Sequence, residues 1–475
     1  MLKRLPALQQ LVNHLGVAIA SKFIYLASIF LYSWYMSVHD YGVINIFSSY
    51  LWLFVIMMSL NLYTGIGRYI YSEKADVGGF LGTSLLAIGA VYLVVALIVV
   101  LWLDDIAQVL GLPVQAILLM LAVVLGQISE SMFTQVAVFH QHSARLLKVV
   151  VSKSLATFGL SMTLLLALND DKFYAVFFAD AAVSLVLVGY VLHSFKGSVR
   201  WSFASKHLRY LTTYSVPLIP YMVALTMLSQ FDRVMIDQQF GKEATGLYSL
   251  TYNVGILLPL VVTAALNTFN PAFFAALGRG DYAEVQRDSG RIFAVAILGT
   301  GVLVLFGEML TSLIVPEKYA SAFDLIPVVA IAGLCSIIFQ IWSRIISYSN
   351  RTHLISIIAV VATTVNIGLN ILLLPVFGYK IAAVTSGISY LVMSLLCIAV
   401  VNYMIGIFRV NVMPDLFAIA ALVGVVVFFR VVSLPPAVAL FLKALLMVLL
   451  IWGVKDKVVA LALTGKARIP STKSA

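Results

Sequence analysis

YSVPLIPYMVALTMLSQFDRVMIDQQFGKEATGLYSLTYNVGILLPLVVTAALNTFN, residues 214–270, decides how the chain is read. Pro217 and Pro220 sit just inside an apolar helix whose far end carries Asp232, Arg233 and Asp237. A polar turn at residues 241–245 then opens a second apolar helix at Gly246. Charges set this deep in an apolar run are costly in a bilayer and mark a special use. The layout occurs once before: an apolar segment ends in VHD, turns at Tyr41-Gly42 and continues as VINIFSSYLWLFVIMMSLNLYTGIG. The repeat suggests a duplicated architecture whose second copy starts near residue 206.

Composition agrees with a membrane setting. Of 475 residues, 62% are hydrophobic and only 11% charged, against roughly 25% charged in a soluble domain. Spanning helices need about 20 mostly apolar residues. Fourteen such runs are expected, at about 11–36, 42–66, 78–103, 114–140, 149–168, 173–194, 211–237, 246–270, 292–315, 324–349, 354–374, 380–406, 414–432 and 437–454. The fold class is therefore all-α, a polytopic membrane protein. The expected division is an N-terminal six-helix lobe (1–205), a C-terminal six-helix lobe (206–408), and a further helix pair with its tail (409–475). Six spans per copy make the two copies parallel repeats. The linker HSFKGSVRWSFASKHLR at 193–209 is the most basic loop and is expected to lie along the headgroups.

An even number of spans puts both termini on one side. Most of the 30 Lys and Arg residues, Lys153 counted among them, fall on that side, and the opposite side has only Lys172, Lys242, Lys318 and Lys380. The positive-inside rule makes both termini cytoplasmic. The basic N-terminus, Lys3 and Arg4, precedes a long apolar stretch with no small-residue cleavage site, which is expected to be a retained first span. No solvent-facing basic surface is long enough for nucleic acid. Cys335 and Cys397 lie in apolar helices and are expected to be buried thiols with no disulfide.

Polar residues within the spans are the candidate site. On the first span His14, Ser21, Tyr25, Ser28 and Tyr32 share a stripe with Lys22 at its edge. The stripe either packs against a neighbouring helix or lines a hydrated cavity in which Lys22 offers a cation to an anionic substrate. On the fourth span Gln127, Glu130 and Thr134 share a face. Glu130 either neutralises Lys22 or carries a coupling proton or cation. Asp180 on the sixth span is a weaker candidate of the same kind. Arg233 and Asp237 are four apart and can pair along the seventh span, or serve as an outward gate with Asp232. Pro217 and Pro220 would bend the start of that helix, and Pro259 the next. Arg344 lies near the cytoplasmic end of the tenth span, where it snorkels or contacts substrate, and Arg430 and Lys443, which flank the outer loop of the last hairpin, are expected to snorkel as well. No Cys/His spacing suits zinc, no phosphate-loop or dinucleotide glycine pattern occurs, and no enzyme, cofactor or metal is expected.

TTVNIGLNILLLPVFGYKIAAVTSGISY, residues 363–390, resembles a pattern of the polysaccharide and oligosaccharide-lipid flippases of the MOP (multidrug, oligosaccharidyl-lipid, polysaccharide) exporter superfamily. The matching residues are Asn366, Asn370, Pro375, Phe377, Gly378, Ala382, Ala383 and Thr385, while Lys380-Ile381 stand where the pattern often has a glycine. SVPLIP, FDRVMI and TGLYSL are similar to the same family. The resemblance implies a two-lobed transporter of the O-antigen flippase type, moving an undecaprenyl-pyrophosphate-linked oligosaccharide from the cytoplasmic to the periplasmic leaflet of the bacterial inner membrane. Such transport serves O-antigen, capsule or exopolysaccharide synthesis. It further implies that Lys22, Arg233 and Arg344 hold the pyrophosphate, that Tyr25, Tyr32, Gln127 and Asn253 contact sugars, and that Glu130 and Asp180 couple a proton or sodium ion. Asp40 stands where related peptidoglycan-precursor flippases have an acid, and joins Pro217, Pro220, Asp232 and Asp237 as gating residues. Membrane lipids and a polysaccharide polymerase are the expected partners. A multidrug or cation exporter of the same superfamily and a membrane glycan polymerase are the alternatives; outer loops of only about a dozen residues argue against the second.

Overall fold

The computed structural model describes residues 23–72, 76–139 and 143–467. Among these residues there are helices and no strand. A backbone in hydrocarbon must satisfy its own hydrogen bonds, and a helix does so within each segment. The helices are α1 (Phe23–Tyr35), α2 (Val38–Ser59), α3 (Thr64–Ser72), α4 (Val77–Leu101), α5 (Leu103–Leu110), α6 (Val114–Phe139), α7 (Ser143–Ala167), α8 (Phe173–Phe195), α9 (Ser205–Ser215), α10 (Ile219–Gly255), α11 (Leu257–Gly278), α12 (Tyr282–Ile314), α13 (Ile326–Tyr348), α14 (Thr352–Phe377), α15 (Ile381–Ala399), α16 (Met413–Val431) and α17 (Pro436–Ala467). Twelve helical stretches among the described residues are long and apolar enough to cross a membrane. This is a multi-pass membrane protein. The expected apolar runs from residue 42 onward fall mainly on helix, while the first, 11–36, is described only from Phe23, where α1 begins; the eighth is shared by the second limb of α10 and by α11, which part at Ile256, shortly before Pro259.

Two compact units form, dividing between Gly246 and Leu247. In the first, α8 packs along both α6 and α7, and α2 lies against α4 and α6. In the second, α13 packs on α15 and α12, α14 on α15, and α12 on α17. Each unit has an apolar interior: Ile46, Met58, Ile66, Phe80, Ile117 and Val123 are fully buried in the first, and Phe293, Leu334, Ile337, Trp342 and Ile345 are almost so in the second.

Gly42 and Gly246, which open the two similar turns of the sequence, meet in space. A Cβ on Gly42 would lie 2.9 Å from the carbonyl carbon of Lys242 and nearer still to its oxygen; one on Gly246 would stand in the same relation to Val38, 3.1 Å from its carbonyl carbon. Each glycine therefore receives the carbonyl four residues before the other, a reciprocal crossing that only a missing Cβ permits. Ser37 caps the α2 end of this crossing: its Oγ accepts from Asp40 N at 3.0 Å, and Asp40 Oδ2 accepts from Ser37 N at 3.2 Å. At the other end α10 breaks at Gly241, whose φ is 80°.

The basic linker is pinned to the start of α4. Arg200 N donates to Gly78 O at 3.0 Å, Thr83 Oγ1 donates to Ser202 O at 3.0 Å, and Ala204 N donates to Thr83 Oγ1 at 3.2 Å. Trp201 and Phe203, on the opposite edge of this extended segment, are exposed, as aromatic rings at a membrane interface are.

Candidate functional site

The first unit holds a charged cluster inside its helices. Glu130 lies nine residues from the end of α6, about 14 Å at the helical rise, and Lys153 lies ten residues into α7, about 15 Å. The two helices run antiparallel, so equal depths bring the side chains together. Lys153 Nζ reaches Glu130 Oε2 at 2.6 Å and donates to Gln127 Oε1 at 3.3 Å. The side chains are 12% and 21% exposed, an ion pair largely removed from solvent. Asp180 on α8 is partly buried and lies within electrostatic reach of both partners. Its helix can approach because Gly126 leaves room for Ser184: a Cβ there would come within 2.9 Å of the Ser184 Cα.

A polar stripe rises from this cluster along α7. Lys153, Thr157 and Ser161 are four residues apart and share one face. Ser161 Oγ and Tyr32 OH are 2.6 Å apart, which joins α7 to α1, and Lys172 Nζ donates to Tyr35 O at 3.3 Å, which joins α8 to the same helix. Thr157 Oγ1 is buried and has no hydrogen-bond partner among the described residues. Tyr32 is also within electrostatic reach of Asp180. Four residues singled out in the sequence, Tyr32, Gln127, Glu130 and Asp180, thus converge on one cluster with two carboxylates and one lysine.

Two pairings were not read from the sequence. Glu130, for which Lys22 was one of two alternatives, is held by Lys153; Lys22 lies outside the described residues, as do His14 and Ser21. A fifth span starting at 149 leaves Lys153 within its first turns, among the cytoplasmic-side charges. Helix α7 begins at Ser143, and that additional turn and a half carries Lys153 into the bundle. The four-residue spacing of Lys153, Thr157 and Ser161 was the available signal. Likewise, Asp237, for which pairing with Arg233 was one of two readings, holds Lys242 at 2.5 Å. Arg233, 3% exposed, donates to Ser229 O at 3.1 Å and Gln230 Oε1 at 2.6 Å. Lys242 follows the break at Gly241, which turns it back on the preceding helix.

The remaining candidates are more dispersed. Tyr25 is 43% exposed by surface area and within electrostatic reach of Arg233. Asp232 is buried, and Asp40 serves the α2 cap. Pro217 sits in a single 3-10 turn, Val216–Leu218, between α9 and α10, and Pro220 occupies the first turn of α10. In the second unit Asn253 is buried, and Arg344 lies over the Phe273 ring at 5.9 Å beside Glu284 and Asp288. Arg430, expected to snorkel, joins Lys380 on Asp324: Lys380 Nζ is 2.9 Å and Arg430 Nη1 3.3 Å from its carboxylate.

The motif residues of 363–390 form a dry polar contact between α14 and α15. Thr385 Oγ1 donates to Asn370 Oδ1 at 2.5 Å, Asn370 Nδ2 to Asn366 Oδ1 at 3.4 Å, and Asn366 Nδ2 to Ser386 Oγ at 3.5 Å. All four are fully buried. Interhelical hydrogen bonds of this kind fix which helix faces meet in a membrane. Cys335 and Cys397 are buried free thiols, and no cluster of metal-ligating side chains occurs among the described residues.

No curated protein sequence matches the chain. Among solved structures it is similar to a lipid II flippase, MurJ, in an inward closed conformation, with a TM-score of 0.71 at 12% identity over 93% of this chain and 98% of that one. It is also similar to an outward-facing multidrug resistance MATE family transporter of the MOP superfamily (TM-score 0.62, 11% identity, 88% and 96% covered). The MATE transporter VcmN of Vibrio cholerae gives 0.56 at 14% identity, with 83% and 95% covered. These likenesses establish the fold. A family model described as "Polysaccharide biosynthesis protein" matches residues 34–324, more than half of the sequence. The chain therefore belongs to the polysaccharide biosynthesis protein family, built on the fold of the MOP exporters.

Proposed function

We propose that this protein is a flippase that moves an undecaprenyl-pyrophosphate-linked oligosaccharide repeat unit from the cytoplasmic to the periplasmic leaflet, by ion-coupled alternating access, for surface polysaccharide synthesis. The family match and the lipid-flippase fold support the class. The observation that carries the mechanism is the Glu130–Lys153 pair, with Gln127 and Asp180, opening onto the Thr157–Ser161–Tyr32 stripe within the helices of the first unit. A sugar pyrophosphate crossing hydrocarbon must exchange its hydration for polar and cationic groups. Hydroxyls and amides serve the sugars, as Tyr25, Tyr32, Gln127 and Asn253 would. Cations serve the diphosphate, as Lys22, Arg233 and Arg344 would, while Glu130 and Asp180 carry the coupling ion. The proline turn at Pro217 and Pro220, with Asp40, Asp232 and Asp237, would bend or latch during the cycle. The two copies would work as parallel repeats, followed by the extra pair α16 and α17. The charge bias of the loops supports an inner-membrane orientation with both termini cytoplasmic, and a polysaccharide polymerase is the natural recipient of the product.

One observation favours the second reading, a cation exporter: the cluster has two carboxylates for one lysine, the balance a cationic drug would want. Reconstituted vesicles separate the readings. The native protein should move a fluorescent undecaprenyl-pyrophosphate oligosaccharide, with the rate reduced by Lys22→Ala and its gradient dependence lost in Glu130→Gln. Transport of small cationic drugs with no lipid movement would replace this reading by the exporter.

A further inference from the structure

We infer that Lys153 joins the cations that take the substrate's diphosphate, by exchanging its partner from Glu130, and that the exchange loads one proton onto Glu130. The inference rests on the flippase reading and names how the diphosphate and the coupling ion share one site. Lys153 is the cation at the foot of the polar stripe, and one carboxylate, at 2.6 Å, holds it in the present arrangement. An ammonium on a flexible four-carbon stem can change partners without moving its helix. Gln127 Oε1, 3.3 Å away, remains as a second acceptor during the change, and Thr157 Oγ1, one turn along, is a buried hydroxyl with no hydrogen-bond partner among the described residues.

The exchange has a charge consequence. While Lys153 is paired, Glu130 is compensated. Once a diphosphate takes the lysine, Glu130 is a carboxylate in a poorly solvated bundle beside a second carboxylate, Asp180. An uncompensated buried charge is far more costly than a neutral acid, so the carboxylate takes a proton from water. The groups that face it are Lys153 and Gln127 within hydrogen-bond range and Asp180 across α8, with the Tyr32 phenol beyond Asp180. Among the described residues Lys153 is the cation against the carboxylates of this cluster, and in this proposal a proton supplies the compensation once it leaves. Substrate binding and proton uptake are then linked, and by reciprocity a fall in pH tightens binding.

The test measures binding of undecaprenyl pyrophosphate to the full-length protein in detergent or nanodiscs across pH, with inorganic pyrophosphate as competitor and undecaprenol as the neutral control. Native protein should bind the diphosphate lipid up to about tenfold more tightly per unit fall in pH, the limit for one linked proton. Glu130→Gln should bind at the low-pH level at every pH, with the slope gone. Lys153→Met should lose at least about tenfold in affinity throughout, while Lys153→Arg keeps both affinity and slope. A merely structural pair would alter thermal stability without removing the pH slope in Glu130→Gln. Native protein that binds undecaprenyl pyrophosphate while Lys153→Met, monodisperse and folded, binds equally well overturns the exchange and leaves the flippase reading standing. Loss of the slope in Asp180→Asn rather than in Glu130→Gln overturns the assignment of the proton. Native protein that neither binds nor moves the lipid removes the flippase reading, and this inference with it.

Discussion

Substituting alanine at Gly42 is the sharpest packing test. The new Cβ would lie 2.9 Å from the Lys242 carbonyl carbon and 3.2 Å from Gly246 N, with the Lys242 oxygen closer still. Ordinary van der Waals contact begins at 3.4 Å. The obstacle is backbone on a helix, with no flexible tip to swing aside, so the two segments must separate by roughly an ångström, and the close contacts along the crossing lose a large share of their dispersion energy. Overpacking of this kind costs about 1–3 kcal/mol. Gly246→Ala, whose Cβ meets Val38 in the same way, should cost a similar amount. Because both substitutions drive apart the same crossing, the double variant should cost clearly less than the sum. Gly89→Ala on α4, where a Cβ meets nothing within 4 Å, is the control and should be neutral or slightly stabilising. Thermal unfolding in detergent, with a monodispersity check by size exclusion, measures all four. If Gly42→Ala melts with Gly89→Ala, or if the two crossing variants add fully, the reciprocal packing is not the contact described.

Other expectations are equally direct. In a double-mutant cycle, Lys153→Met and Glu130→Gln should each destabilise by about 1–3 kcal/mol, below the 3–5 typical of a fully buried pair because both side chains keep some exposure, and the double variant should recover much of that loss; additive losses would refute the pair. The backbone amide of Gly79 donates to Asp76, and the Arg200 guanidinium beside it at 2.5 Å adds to the effect, so the Asp76 carboxyl is held below its ordinary 3.8. A depressed folded value means that its contribution is present above the unfolded value and is lost as pH falls through the folded one. The protection of the Arg200 and Ala204 amides against hydrogen exchange, relative to the intrinsic rate at the same pH, should therefore fall below about pH 4, and at neutral pH in Asp76→Ala, while unchanged protection in both cases would refute the pinning of the linker. Thr385→Val should remove the hydroxyl that donates to Asn370 and destabilise by about 1–3 kcal/mol, read as a fall in melting temperature; an unchanged melt would make the α14–α15 network dispensable.

The helical membrane architecture was legible because twenty-residue apolar runs have few alternatives in water or lipid. The site was half legible. Glu130 stood out as a carboxylate far from the span ends and Tyr32 as part of a polar stripe, while Asp180 was the weaker candidate, an acid near a helix start. Lys153 did not, since an apolar-run count cannot tell a lysine in the first turns of a span from one in the adjoining loop; the early start of α7 at Ser143 settles it. The Asp237–Lys242 pair was hidden for a different reason. Spacing along an unbroken helix favours Arg233, and only the turn at Gly241 brings Lys242 back. The Asn366, Asn370 and Thr385 pattern pointed to the family, yet its physical role as a buried interhelical contact depends on the register of α14 against α15, which a single sequence does not display.

The central claim is the identity of the cargo, and transport in vesicles containing only this protein tests it most directly. A fluorescent undecaprenyl-pyrophosphate oligosaccharide, placed in one leaflet under an imposed proton gradient, should appear in the other in a protein-dependent manner, while a cationic dye in parallel vesicles stays where it was. Movement of the dye with the lipid left in place would contradict the account.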